Sequence, residues 1–354
     1  MPTLHAVTEE TKQITKWAVI TVFALILLFF VVRFGTTIKE YFYPTPPAPP
    51  TVAFGKLPSL IFPNNSTDKK LLYSLDTITG TLPNFPDRTT VYSIDESQPN
   101  LLGLQNAQKK VEAIGFNNSP YPLSENTYIW TETASPFRKL ILNIVSNNFT
   151  LSSNYLLNPD LLIKTPVPDQ ASAQTSATNF LTRLSLFPND IDIAKTKTTL
   201  LTIQNQRLVE ASSPSTAQVV RVDFYQKDIN QIPIYYPNPP QSIIYFILTG
   251  GRFDEEIIEA KFNHSTINQT SSATYPIKTA DQAFAELQKQ KAYLASYFGN
   301  QDIIRIKNVS LGYYLGDPPQ TYLMPIIVFE GDNGFFAYVP AITDAWIDTA
   351  SVRK

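Results

Sequence analysis

The chain has 354 residues, 43% hydrophobic and 16% charged, with a net charge of −2. It contains no cysteine, which excludes disulfides, thiolate metal sites and cysteine nucleophiles. No block of Lys or Arg occurs beyond the N-terminal region, which argues against a nucleic-acid partner.

Residues 1–15 form a short polar tail. Residues 16–34 hold a segment unlike any other in the chain: Trp17–Val32, WAVITVFALILLFFVV, carries no charge and is bracketed by Lys16 and Arg33. Twelve of its residues are Val, Ile, Leu or Phe. At about −0.3 to −0.6 kcal/mol each, they favour insertion by roughly 4 to 7 kcal/mol. Lys16 and Arg33 can lengthen the span by extending their charged heads to the two interfaces. The sequence predicts an uncleaved transmembrane anchor, with the lipid bilayer as partner through Trp17–Val32. A cleaved signal peptide is the alternative, but the run is long for an h-region and VRFGTTIKE offers no small-x-small cleavage site. Lys12, Lys16 and the amino terminus, against Arg33 and Lys39, tilt the positive-inside rule toward a cytoplasmic N-terminus. The body is then extracytoplasmic, and its Asn-, Ser-, Thr-, Tyr- and Pro-rich, cysteine-free composition suits a bacterial envelope protein.

Residues 35–56 form a linker. Within it, Pro44-Thr45-Pro46-Pro47-Ala48-Pro49-Pro50 reads as a polyproline spacer, which at about 3.1 Å per residue extends roughly 20 Å. The expected body is α+β: repeated modules, each one helix packed on a small antiparallel sheet, at residues 57–165, 166–270 and 271–354.

Each module has one amphipathic helix. The first runs from about Pro99 to Ile114, with Leu104, Ala107, Val111 and Ile114 on one stripe and Gly115 as a stop. The second follows Pro166 and Pro168 and presents Ala173, Ala177, Phe180, Leu181 and Leu184. The third opens on Thr279 and Gln282, which have capping-box spacing, and continues through Ala283, Phe284, Leu287 and Leu294 to about Phe298.

Strands are expected after each helix. They are Tyr128–Thr131 and Lys139–Val145; then Thr198–Ile203, Val219–Tyr225, Ile243–Leu248 and Ile257–Phe262; then Ile303–Lys307, Tyr322–Phe329 and Phe335–Val339. Val220, Val222 and Phe224 alternate with Arg221 and Asp223, a period of two that buries one face. Ile232–Tyr236 followed by IIYFIL, and Met324–Phe329 followed by FFAYV, each read as a hairpin with a proline early in its first strand, a position that suits an edge or a bulge.

The series TADQAFAELQKQ, VSLGYYL, YLMPIIVFEG and FFAYVPAI, within residues 275–346, resembles the helix-plus-antiparallel-sheet modules of the PepSY type. It is also similar to extracytoplasmic modules of membrane-anchored regulators of bacterial cell-wall sensor kinases. The resemblance implies a role in binding rather than catalysis, and it carries over no functional residue.

Candidate chemistry is sparse. Histidine occurs only at His5, in the tail, and at His264, so no paired-histidine metal motif can form in the body. Asp254, Glu255, Glu256 and Glu259 make the densest acidic cluster, a candidate cation site or acid/base pair that lacks the Asp-x-Asp-x-Asp-Gly spacing of a calcium loop and otherwise reads as a solvated turn. Tyr235-Tyr236 and Tyr313-Tyr314 each place one ring on either face of a strand. No cofactor is expected. The sequence points to a non-catalytic binding, regulatory or scaffold protein, with another envelope protein or a wall component as partner. The alternatives are a cell-wall or peptide hydrolase using the acidic cluster, and a bitopic subunit of a secretion or division complex.

Overall fold

The computed structural model describes residues 4–42, 49–64, 70–132, 137–157, 162, 166–250, 257–299 and 302–348. The N-terminal unit is one helix, α1 (Leu4–Phe42). Its segment Thr15–Arg33, 19 residues with none buried, is long and apolar enough to cross a membrane. At 1.5 Å per residue that segment spans about 28 Å, close to a hydrocarbon core of about 30 Å. It is compatible with a membrane anchor or a signal sequence. Trp17, Phe23 and Val32 stand 67%, 67% and 71% exposed. The helix overruns the expected span on both sides, through residues 4–15 of the tail and 35–42 of the linker. No proline interrupts the chain between Leu4 and Phe42, and a nucleated helix extends cheaply. Most of the expected polyproline spacer, residues 44–48, lies outside the described residues.

Residues 50–354 form the second unit. It opens with β1 (Leu57–Pro58), β2 (Leu72–Leu75) and β3 (Arg88–Ile94). Next come α2 (Gly103–Glu112), β4 (Tyr121–Pro122), β5 (Thr127–Glu132), β6 (Arg138–Asn143) and β7 (Phe149–Ser153). After α3 (Gln170–Arg183) follow β8 (Lys197–Gln204), β9 (Arg207–Glu210), β10 (Val219–Phe224), β11 (Ile234–Tyr235), β12 (Ile244–Leu248) and β13 (Ile257–Phe262). The chain closes with β14 (Ile267–Pro276), α4 (Ala280–Gln288), β15 (Tyr293–Ser296), β16 (Ile303–Tyr314), β17 (Tyr322–Gly331), β18 (Phe336–Pro340) and β19 (Ile347–Asp348).

Two large sheets result. The first has nine strands in the order β4-β5-β6-β7-β13-β12-β10-β8-β9, and every described pairing in it is antiparallel. The second has eight strands, built on β11-β16-β17-β18-β15, with β2 added to β16 and with β3 bridging β17 and β14. The protein therefore mixes helices with large sheets, as the pattern of expected elements suggested. The expected module boundaries do not match the strand pairing. β7 pairs with β13 at Phe149↔Phe262, so residues 57–165 and 166–270 share one sheet instead of each closing its own. β3 leaves for the second sheet and pairs with β14 and β17. The physical reason is edge satisfaction: two separate sheets would leave four open edges, and merging them leaves two, at β4 and β9.

Helices α2 and α3 contribute to the core of the nine-stranded sheet. Ala107 and Val111 from α2, and Ala173, Ala177, Phe180 and Leu181 from α3, join Trp130, Leu142, Phe149, Val222, Phe224 and Phe246. Each large apolar side chain buried there contributes about 1.5–3 kcal/mol. Phe224, Phe246 and Phe180 meet edge to face, at 5.8 and 5.9 Å between centroids. Asp169 caps α3, its side chain accepting from the Ser172 amide. In the second sheet, Ala283 and Leu287 of α4 join Ile306, Phe329, Ala337 and Val339.

The capping box at Thr279 and Gln282 forms as expected. The helix it starts ends at Gln288, well before Phe298, because Gln290 takes a left-handed conformation at φ +59° and Leu294 belongs to β15. The hairpin expected from Ile232–Tyr236 does not form. β11 instead runs parallel to β16 in the other sheet, Ile234↔Tyr313. The second hairpin, β17 with β18, does form. Its Pro325 lies neither at an edge nor in a bulge; it sits where β17 exchanges one lateral neighbour, β3 at Leu323, for another, β18 from Ile326. A residue without an N–H fits that gap between ladders.

Candidate functional site: an inter-sheet cleft

The face of the nine-stranded sheet opposite the helices is charged. Alternation along β8 presents Lys197, Thr199 and Leu201, and cross-strand register sets Thr199 against Arg221 and Lys197 against Asp223. Register continues the pattern to Ile247 and Tyr245 on β12, then to Glu259 and Lys261 on β13. The sequence pattern marks this as the solvent face, yet Asp223 is only 2% exposed. A second layer covers part of it. Tyr155, itself buried, lies over the sheet with Val219, Ile247 and Ile258.

The centre of this face is an ionic network. Arg221 donates through Nε to Asp223 Oδ2 and through Nη2 to Asp223 Oδ1, both at 2.8 Å. Asp223 Oδ1 also accepts from the Ser242 amide at 2.8 Å, and Arg221 Nη2 reaches the Ser242 carbonyl at 3.3 Å. The guanidinium lies over the Tyr245 ring, 3.8 Å from its centroid. Burial works against its charge, but the hydrogen bonds to Asp223 outweigh that and hold the guanidinium above its ordinary pKa. Tyr245 and Tyr155 then donate to Glu259, to Oε1 at 2.8 Å and Oε2 at 2.7 Å. Burial, followed by the adjacent Glu259 carboxylate, raises the pKa of both phenols.

Beside this network lies a cleft of about 630 Å³. Its floor is the β8–β9–β10 face, with Thr199, Leu208, Glu210, Arg221 and Asp223. Its far wall comes from the second sheet, the end of β15 and the following Tyr297 and Phe298; the loop 238–241 closes one side. Ser242, fixed by Asp223, tethers that loop, and Tyr225 Oη donates to the Pro240 carbonyl from the same region. Behind the loop, a smaller hollow of about 340 Å³ is lined by Tyr225, Tyr235, Tyr236 and Phe336. Tyr235 and Tyr338, with centroids 5.8 Å apart, anchor it in a cluster of tyrosines that includes Tyr293 and Tyr314.

Of the sequence-derived acidic cluster, Asp254, Glu255 and Glu256 lie outside the described residues. Glu259 is placed on β13, and both of its oxygens accept from tyrosine hydroxyls. It therefore acts here as the acceptor in the buried network. Among the described residues no group of three His, Cys, Asp or Glu side chains is arranged to hold a metal ion.

His264 has partners that its sequence neighbours do not announce. Its Nε2 lies 2.8 Å from Asp190 Oδ1, and its ring stacks on Phe262 at 5.9 Å. Asp190 Oδ2 accepts from Gln226 Nε2 at 2.7 Å. Burial would raise the Asp190 pKa, but its hydrogen bonds to His264 and Gln226 bring it below the ordinary carboxylate value. This group sits where the chain crosses from β13 to β14, with Gln226 Nε2 also donating to the Ser265 carbonyl. It pins the crossover, and no open space adjoins it among the described cavities.

No protein-family description matches the chain. The search of curated proteins returned no match either. Among solved structures, an uncharacterised protein from Eubacterium rectale ATCC 33656 is similar over 73% of this chain and 84% of its own, with 14% sequence identity and a TM-score of 0.36.

Proposed function

We propose that the chain is a single-pass envelope protein with a cytoplasmic N-terminus, whose body binds another envelope protein or a wall component outside the membrane and catalyses no reaction. The observation that carries this reading is the exposed, uncharged run within Thr15–Arg33, joined to a body that has cores of its own. Tethering raises the local concentration of the body at a surface and lowers the intrinsic affinity a partner site requires. The inter-sheet cleft is the receptor in this reading. It offers convergent polar groups and an aromatic wall, within the about 300–1,000 Å³ typical of ligand pockets. The PepSY-type reading of residues 275–346 belongs to the same proposal, supported by the succession of α4 and the β16–β17–β18 meander.

Protease shaving of intact cells tests the topology. With a tag at the C-terminus, the body should be digested from outside while a cytosolic control stays whole. A body protected until the cells are lysed overturns the proposal. Crosslinking from Ser296→Cys, at the cleft wall in this cysteine-free chain, should then trap an envelope partner.

A further inference from the structure

The cleft has one feature that its structural role leaves unused. Arg221 engages Asp223 and Ser242 through Nε and Nη2, which leaves the two N–H groups of Nη1 without an acceptor among the described residues. They belong to a side chain on the cleft floor, 11% exposed and held rigidly by the bidentate pair.

Charge balance decides what such a donor suits. Lys197 and Arg221 are offset by Glu210 and Asp223 on the same floor, so the site carries no surplus charge to draw in a phosphate or carboxylate. A neutral acceptor, a hydroxyl or carbonyl oxygen, matches it. The floor and the side loop add the hydroxyl of Thr199 and the amides of Asn238 and Gln241, which both donate and accept. The far wall carries the Ser296 hydroxyl and two aromatic rings, Tyr297 and Phe298, and Phe298 is 70% exposed.

An extended peptide is the competing occupant, since β9 and β15 are outer strands of their sheets and both line the cleft. The lining nevertheless favours a ligand read by side chains: most of the floor is the face of β8, which is hydrogen-bonded to β9 on one side and β10 on the other. The cleft therefore offers side-chain hydrogen bonds and a flat ring, the two things a pyranose needs for its hydroxyl edge and its C–H face.

We propose that the cleft binds a neutral oligosaccharide, with Arg221 Nη1, Asn238 and Gln241 on its hydroxyl and carbonyl oxygens and Phe298 against a sugar ring. This rests on the reading of the cleft as the receptor, and it narrows the partner to a glycan.

The test is calorimetric titration of the full chain in detergent micelles with a soluble β-1,4-linked N-acetylglucosamine tetramer, and in parallel with a tetra-alanine peptide. The expected result is binding of the saccharide, weakened about tenfold by Phe298→Ala, as the loss of one ring-stacking contact implies. Asn238→Ala, at an exposed loop position, should weaken it too. Both side chains are exposed, so neither change should disturb folding. Absence of saccharide binding, binding of the peptide alone, or saccharide binding that neither substitution alters overturns the inference. The topology experiment is independent: a body digested from outside that takes no saccharide removes the glycan and leaves the envelope reading standing, whereas a body that takes saccharide but resists shaving removes the envelope reading alone.

Discussion

Asp223→Ala should be among the most damaging single changes to the body, and its cost can be worked out from the geometry. Asp223 is 2% exposed and accepts three hydrogen bonds, two from Arg221 and one from the Ser242 amide. Its removal leaves a guanidinium with 11% side-chain exposure facing one carbonyl and the Tyr245 ring. An uncompensated buried charge costs about 3–5 kcal/mol. Replacing both partners, Arg221→Met with Asp223→Leu, removes the stranded charge and leaves chiefly the Ser242 amide unsatisfied, at about 1–3 kcal/mol. The double variant should therefore recover roughly 2 kcal/mol relative to Asp223→Ala. Urea unfolding of the full chain in micelles, followed through the buried Trp130, measures both at equal m-value. If Asp223→Ala costs less than about 1 kcal/mol, or the double variant is as unstable as the single, water screens the pair and the cleft floor is not rigid in the sense argued.

Two further outcomes follow from other parts of the body. Burial raises Tyr73 and Tyr235 to about 12, and raises Tyr155, Tyr225, Tyr245, Tyr313 and Tyr314 further, against about 10 in an unfolded chain. Because the folded values lie above the unfolded one, this stability is complete below pH 10 and is lost as the pH climbs toward 12 and beyond. Tyrosinate absorbance should then rise together with loss of circular dichroism, and a smooth titration near pH 10 with structure retained would contradict the burial. Gly312→Ala should cost about 1–3 kcal/mol, since a Cβ at that point of β16 would stand 2.4 and 2.6 Å from Tyr235 ring carbons that β11 holds in place. Thermal unfolding checks it, and an unchanged midpoint would mean that the Tyr235 ring moves freely.

Local structure was more legible in the sequence than topology. The Thr279–Gln282 box and the Ala173–Leu184 stripe are local patterns, and the chain forms both where expected. The strand Ile257–Phe262 also forms, but a bulge opposite Leu248 turns Ile258 away from Ala260 and Phe262 and toward Tyr155. β3 was missed because RTTVYSI carries little alternation; its partners, β14 and β17, lie far away in sequence. Ile232–Tyr236 misled because a Pro-led apolar run before another apolar run looks like half a hairpin, while its real neighbour, β16, comes much later. The cleft was hidden by a correct observation. Arg221 and Asp223 do alternate with a buried face, but a second layer covers their own side, and two-residue spacing of opposite charges on one strand face was the available clue. The pairing of His264 with Asp190 crosses 74 residues, and no local rule reports it.

The register between β3 and β14 sets a timetable for synthesis. Ile94 and Ile267 are cross-strand partners, and just beyond them the Asn268 amide bonds Asp95 across 173 residues of chain. At a translation rate of about 5–20 residues per second, β3 leaves the ribosome roughly 9–35 s before β14 is made. All nine strands of the first sheet lie between residues 121 and 262, so they are synthesised within that interval, while β3 still lacks both partners. Truncations ending before residue 267 should therefore leave β3 unpaired and aggregate through that segment.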